Sequence, residues 1–230
     1  MEILVPLAGP DFERPDGSTK AEITIDGMPL LVRALTSRSW WRRGEASATD
    51  LIFVLKDTEC SRAFSIRSLL KWFPGARIVY LSHSTAGAAF SVLAGVAICD
   101  PSKLLCVDLA DILYDETYDP ENIFASDPKL GGMIPVFGSN NPIYSYVELG
   151  NDGRAIRTAE KIIISSNASA GTYFFRNASV YSMAVGHAIL NRDQQTYHEI
   201  YFVCPLFNGV IFAGHDVRTF AVDNVTDIKI

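Results

Sequence analysis

The sequence predicts an α/β fold with a mixed, mainly parallel sheet, and three observations carry that prediction. Short apolar runs alternate along the chain with segments of helical period, the pattern of strands joined by crossover helices. The length of 230 residues, with 48% hydrophobic and 20% charged side chains, suits one globular domain, because α/β folds commonly reach this size undivided. Several apolar runs end in polar or glycine-containing loops, and open parallel sheets bind ligands at the carboxyl ends of their strands. The expected architecture is Rossmann-like and doubly wound, with residues 1–230 as a single domain.

The elements follow in order. ILVPL at 3–7 reads as the first strand and passes into a glycine-containing loop, and helical period returns at 30–38, just after Gly27-Met28-Pro29. Trp40 and Trp41 read as a helix end packing its aromatics beside a basic turn, and 42–49 as a surface connection. LIFVL at 51–55 and RIVYL at 77–81 are strands, followed by helices at 59–72 and 86–98. Further strands are expected at 103–107, 132–136, 145–148 and 170–175, with an Asn-Asp-Gly turn signal in 151–154 between two strands. Helices at 179–190 and 205–213 precede a last strand at 219–222.

The formal net charge of −6 argues against a general nucleic-acid binder, which normally presents a basic face. Any phosphate-bearing substrate must then be held by a few local cations, amides and metal. The four cysteines are widely spaced, with no CxxC pair, and read as core thiols of a reducing compartment. The start MEILVPLAG has no charged leader region, and no run of about 18 apolar residues suggests a membrane span. A cytoplasmic protein without nucleic-acid or membrane partners is expected.

Three strand ends carry candidate ligand loops: those after Leu7 and Leu81, and the Asp-rich segment after Val107. In the first, a glycine lets amides approach phosphates, and Arg14 or Lys20 can neutralise them. The spacing GxxxxGK[ST] is absent, so this is not a Walker loop. His83, His187, His198 and His215 share no metal-ligand spacing, so zinc is not expected. Tyr144 and Tyr146, two positions apart, share one face if both lie on the strand.

LAGPDFERPDGSTKAEITIDGMPLL, SHSTAGAAFSVLAG, LLCVDLADIL, GGMIPVF and YSYVELGNDGRAIRTAEKIIISSNASAGTYFF follow one another, and HEIYFVCPLFNGVIFAGHDVRTFAVDNVTDI closes the series. In this order they resemble the sugar-1-phosphate nucleotidyltransferases, or nucleoside-diphosphate-sugar pyrophosphorylases, in a branch associated with bacterial surface-polysaccharide clusters. The resemblance spans nearly the whole chain. It implies transfer of a nucleoside monophosphate from an NTP to a phosphorylated small-molecule acceptor, a sugar 1-phosphate, with Mg²⁺ as cofactor and release of pyrophosphate, in the synthesis of polysaccharide precursors. In that reaction an acceptor phosphate oxygen attacks the α-phosphorus, so catalysis rests on positioning and on neutralising crowded negative charge.

The resemblance also implies roles. Leu7, Ala8 and Gly9, with Thr85, Gly87 and Ala88, border the nucleotide, while Lys20 and Arg14 meet its triphosphate. Lys161 holds the acceptor phosphate, and Glu160 steadies that lysine or meets acceptor hydroxyls. Tyr146, Gly171 and Thr172 belong to the acceptor side. Mg²⁺ needs few carboxylates; Asp111 matches the metal aspartate, Asp108 is the alternative, and Asp227 stands where a second aspartate falls.

The chain departs from the pattern in its first loop, where GPDFER replaces G-x-G-x-R and Thr19 replaces a proline. Pro10 and the β-carbons of Asp11, Phe12 and Glu13 disfavour the positive φ angles that wrap amides around a triphosphate, and the two carboxylates repel it. The loop is therefore expected to bind NTP weakly. Transfer to a non-sugar phosphorylated acceptor and a non-catalytic nucleotide-binding relative are the alternatives. A glycosyltransferase would want an Asp-x-Asp motif, which the chain lacks. The base, the acceptor and the oligomeric state, a homo-oligomer included, stay open.

Overall fold

The computed structural model describes residues 1–228. The strands are β1 (Glu2–Pro6), β2 (Thr24–Ile25), β3 (Met28–Pro29), β4 (Leu51–Lys56), β5 (Arg77–Leu81), β6 (Leu105–Asp108), β7 (Ile112–Asp115), β8 (Leu130–Gly138), β9 (Ser145–Leu149), β10 (Ala155–Glu160), β11 (Asn167–Ser169), β12 (Thr172–Phe175), β13 (Asp216–Ala221) and β14 (Asp223–Asp227). The helices are α1 (Leu30–Ser37), α2 (Ser39–Arg42), α3 (Glu59–Phe64), α4 (Leu70–Trp72), α5 (Ala88–Val96), α6 (Pro120–Ser126), α7 (Ala178–Leu190), α8 (Arg192–Gln195) and α9 (Phe207–Phe212).

Successive side chains of a strand point to opposite faces, and here both faces are apolar. Leu4, Ile52, Val54 and Val107 enter one core with side chains of α5, α7 and α9. Ile3, Val5, Leu51 and Phe53 enter another with those of α1, α2 and α3. A parallel sheet buried on both sides is the doubly wound arrangement, and the two cores are its two layers. Trp40 packs edge-on against Phe174, and Trp41 against Phe73, so both tryptophans serve the second core.

The main sheet runs β10-β9-β11-β8-β12-β6-β1-β4-β5, with β13 also paired to β8. Strands β6, β1, β4 and β5 pair in parallel, whereas β12, β11 and β10 run against their neighbours. The sheet is thus mixed and mainly parallel. Most expected strands are found within two residues of their boundaries. The expected helix at 59–72 is continuous through a π-helical turn, Ser65–Leu69, between α3 and α4.

The strand expected at 170–175 is where the structure departs most. It is longer and bent: between the pairs Ser169↔Val136 and Phe174↔Met133 the chain takes five steps against three on β8. The surplus forms a bulge at Ala170 and Gly171, and the glycine has φ +76°, a conformation that costs a residue with a β-carbon. Beyond the bulge the outer edge changes partner, because β12 pairs with β6 while β11 pairs with β9. The sheet forks there and leaves a crevice between the end of β6 and the start of β9. A small ribbon, β7 with β14, lies across this opening. No helix among the described residues is long and apolar enough to cross a membrane.

Close packing on the far side of β8 gives a test. A β-carbon added at Gly132 would lie 2.4 Å from the Phe207 ring, which is stacked on Phe175 with centroids 4.4 Å apart. Gly132→Ala is expected to destabilise the fold by about 1–3 kcal/mol through overpacking, measured as a lower urea midpoint with an unchanged slope.

Candidate active site

A pocket of about 240 Å³ opens at the carboxyl ends of β1 and β6, with Leu7, Gly9 and Asp11 on one side, Lys20 beside them, and Leu109, Ala110 and Asp111 opposite. The first loop is not a loose glycine loop but an anchored hairpin. Phe12 is buried and packs edge-on against Phe64, and the amide of Lys20 donates to the Phe12 carbonyl at 2.9 Å. Glu13 turns away from the pocket, and its carboxylate accepts from the hydroxyls of Thr58 and Ser61. Only Asp11 of the two loop carboxylates faces the pocket. It is ion-paired to Lys20, whose ammonium holds the carboxyl below its usual range.

The residue before Lys20 is held by a polar cluster around Glu22. Glu22 accepts from the amide and hydroxyl of Thr19 at 3.0 and 3.1 Å, from Arg67 at 2.8 and 2.5 Å, and from Ser68 at 2.8 Å. Burial alone would raise its carboxyl, but these donors hold it at about 2.

A second pocket of about 640 Å³ occupies the fork. Ser145, Glu160 and Lys161 form one wall, Ser169 and Gly171 the floor, and Tyr144, Tyr197 and Phe202 an aromatic rim. Leu109 and Asp111 line both pockets, so the two form one crevice with Asp111 at the junction. The Lys161 ammonium lies 5.5 and 5.1 Å from the ring centres of Tyr197 and Phe202, within cation–π range. Its backbone is left-handed at φ 54°, and its amide donates to the Tyr144 carbonyl at 3.0 Å. Glu160 accepts from the Ser145 hydroxyl.

Asp111 lines both pockets, and Asp227 lines neither but approaches through Tyr144. Asp227 accepts from the Tyr144 hydroxyl at 3.0 Å, and the amide of Ile228 donates to the Asp111 carbonyl at 3.0 Å. Burial, then the bond to Asp227 and the charges of Asp227 and Asp111, push the Tyr144 phenol up to about 12. Asp111 lies over Gly171, where an added β-carbon would come 2.8 Å from Oδ1. The missing side chain makes room for that carboxylate. Among the described residues no group of three or more His, Cys, Asp or Glu is arranged to hold a metal ion.

Several expected site residues lie elsewhere. Asp108 is buried, with both oxygens bonded to Arg38 at 2.8 and 3.0 Å, so it does not face the crevice as a metal ligand. Thr172 is fully buried and accepts from the Tyr114 hydroxyl at 2.8 Å. Tyr146 is buried too, donating to the Asn141 carbonyl at 2.7 Å. Because β9 begins at Ser145, Tyr144 precedes the strand and turns into the pocket while Tyr146 stays in the core. Arg14 is exposed on the hairpin, outside the pocket walls, and Ala8 lies between lining residues without being one.

The 85–88 segment joins the crevice only through Ala88. The Thr85 hydroxyl is turned inward, bonded to the Gly87 carbonyl at 2.9 Å and the Ser91 hydroxyl at 2.8 Å. Gly87, at φ +123°, is covered by the chain around Tyr201, whose carbonyl accepts from Ala89 at 3.1 Å. That cover, and the rim residues Tyr197 and Phe202, had no local signal in the sequence. Asp11 and Tyr144 did stand within recognised segments, and their partners, Lys20 and Asp227, give them their place.

A doubly wound sheet with a forked antiparallel side and a crevice over β1 and β6 is a Rossmann-like fold. Three solved structures share it. A nucleoside-diphosphate-sugar pyrophosphorylase from Vibrio cholerae RC9 aligns with TM-score 0.81 and 19% identity, over 98% of this chain and 95% of its own. A protein assigned as a glucose-1-phosphate thymidylyltransferase from Bacillus anthracis, in complex with a sucrose, aligns at 0.72 and 16%, over 99% and 89%. The inositol-1-phosphate CTP transferase from T. maritima aligns at 0.66 and 14%, over 100% and 88%. No family model and no curated protein matches the sequence.

The Glu22 cluster makes acid stability testable. In the fold Glu22 stays charged to about pH 2, whereas in the unfolded chain it takes up a proton near 4.5; the unfolded state therefore binds the extra proton, and stability falls as pH drops through this window. Urea midpoints at pH 6 and pH 3 are expected to differ less for Glu22→Gln than for the wild type.

Proposed function

We propose that this protein is a nucleotidyltransferase that joins a nucleoside monophosphate from an NTP to a sugar 1-phosphate and releases pyrophosphate. The observation that carries this reading is the pair of lysines, Lys20 and Lys161, in two pockets of one crevice on either side of Asp111. Two negatively charged substrates brought together need two separate cations. The first pocket suits the nucleotide phosphates and the second the acceptor. Lys20 would leave Asp11 to meet the triphosphate, and Lys161 would bind the acceptor phosphate. Glu160, held by Ser145, is available to acceptor hydroxyls.

Mg²⁺ fits the acidic junction, since Gly171 leaves space for the Asp111 carboxylate and this ion takes one or two carboxylates plus substrate phosphates. Asp111 and Asp227 would hold it. Bound there, it supplies charge neutralisation at the phosphates. A role in surface-polysaccharide precursor synthesis, in the cytoplasm, follows from the sequence resemblance and is part of the proposal. Transfer to a non-sugar acceptor is the second reading, supported by the inositol-1-phosphate CTP transferase sharing the fold.

Pyrophosphate release measured with each common NTP and a panel of phosphorylated acceptors tests the reading. Lys161→Ala is expected to raise the acceptor KM by at least about tenfold while NTP binding by calorimetry changes little, as loss of a contact to one substrate alone requires. Asp111→Asn should lower turnover by roughly 10²–10³-fold with an unchanged thermal midpoint. Asp11→Asn frees Lys20 from its ion pair, and NTP affinity should rise severalfold. No release and no nucleotide binding with any pair would instead indicate a non-catalytic relative.

A further inference from the structure

Beneath the crevice lies a buried polar cluster that touches neither pocket. Arg38 follows α1 and Asp108 ends β6, and each is 1% exposed. Arg38 Nε donates to Asp108 Oδ2 at 2.8 Å and Nη2 to Oδ1 at 3.0 Å, a bidentate fork. The guanidinium carbon lies 4.1 Å from the centre of the Tyr114 ring. The Tyr114 hydroxyl donates to Thr172 at 2.8 Å, and Thr172 stands opposite Asp108 in the β6–β12 ladder. Arg38 is therefore held on two sides. Desolvation takes back much of the attraction in such a pair, and a well-packed apolar pair is often as stable or more so. Stability alone does not explain it.

What the pair holds is the turn that carries Asp111. Asp108 Oδ1 accepts a third bond, from the Ala110 amide at 2.8 Å. Ala110 is left-handed at φ 54°, a conformation unfavourable for a residue with a β-carbon. Asp111 comes next, so the direction of its carboxylate depends on Ala110 keeping that shape.

We propose that the Arg38–Asp108 pair positions Asp111: Asp108 supplies the acceptor that keeps Ala110 left-handed, and Arg38 locks that acceptor in place. The functional side of this rests on the reading of Asp111 as the carboxylate facing the phosphates. Neither residue meets substrate; both act through the turn.

Two double variants separate positioning from bulk structure. R38M/D108N removes both charges yet keeps a side-chain oxygen able to accept from Ala110, whereas R38M/D108V removes the acceptor and keeps the core packed. Two quantities are read: amide exchange at Ala110 in the ligand-free protein by NMR, and the Mg²⁺ concentration giving half-maximal pyrophosphate release. For the valine pair, Ala110 exchange should accelerate more than about tenfold relative to the wild type. The Mg²⁺ requirement should rise by about tenfold to a hundredfold, as for lost outer-shell support of a ligand, with the NTP KM at saturating Mg²⁺ unchanged. The asparagine pair, which keeps the acceptor but has lost the fork, should fall between the wild type and the valine pair in both. Equal exchange and equal Mg²⁺ requirement in the two variants would overturn the proposal. Should the valine pair fail to fold, Arg38→Lys, which keeps the charge and loses the fork, is read in the same two ways, and wild-type values for it overturn the proposal. If the wild type releases no pyrophosphate at all, the transfer reading fails, and the exchange comparison still decides whether the pair holds the turn.

Discussion

The chain from Asn167 to Phe175 must pair with β8 along one edge while its other edge serves two strands that do not meet, β9 and β6. A straight strand cannot do this. The two surplus residues at Ala170 and Gly171 turn the second half onto β6, and the crevice is the space left where the two pairings diverge. Asp111 enters that space because Gly171 has no side chain to exclude it. The amide of Leu109 donates to the Gly171 carbonyl at 3.0 Å, so the loop after β6 is tied to the same bend. Glu160 and Lys161, at the end of β10, reach the crevice because β10 is paired to β9 on the other arm of the fork.

Around this opening the electrostatics are balanced group by group. The whole chain carries a formal −6, which discourages phosphate ligands in general. Each site lysine meets this in its own way. Lys20 is satisfied by Asp11, and Lys161 lies against two aromatic faces whose attraction is weaker than a carboxylate's. The two lysines are therefore held by different kinds of contact. On the proposed reading the first would exchange one anion for another, while the second would give up ring contacts. The unusual first loop gains meaning from this contrast: its two carboxylates do not line up together, because Glu13 accepts from the hydroxyls of Thr58 and Ser61 at the start of α3 and only Asp11 of the two lines the pocket.

Much of the fold was legible in the sequence. Apolar runs such as LIFVL and RIVYL have one plausible use, since burial on both faces of a parallel sheet is what uniform apolar strands require. The ribbon strands β7 and β14 were not legible, because β14 is polar and largely exposed and β7 is buried only against residues distant in the chain such as Ala170 and Val222. At the site, Lys20, Asp111, Glu160, Lys161 and Gly171 were found on segments with family-like spacing, and all of them line the crevice. Asp108 was considered beside Asp111 because both follow the same strand. Their separation came from Arg38, 70 residues away in sequence, whose fork takes both oxygens of one aspartate and leaves the other to the crevice. Tyr146 and Tyr144 were exchanged for a similar reason: the first residue of β9 decides which aromatic leaves the ladder, and strand boundaries are set by pairing partners.

By itself the sequence determined the alternation of strands and helices, the double-faced core and the identity of the polar residues near strand ends, because those follow from local hydrophobic period and from the residue types that phosphate chemistry uses. Only the tertiary structure decided which of those residues face one another. The bulge at Gly171, the Arg38 fork on Asp108, the cover of Tyr201 over Gly87 and the rim of Tyr197 and Phe202 all join segments far apart in the chain. Hydrogen bonds and packing between such segments depend on register and on the path of the sheet, and no local pattern encodes either.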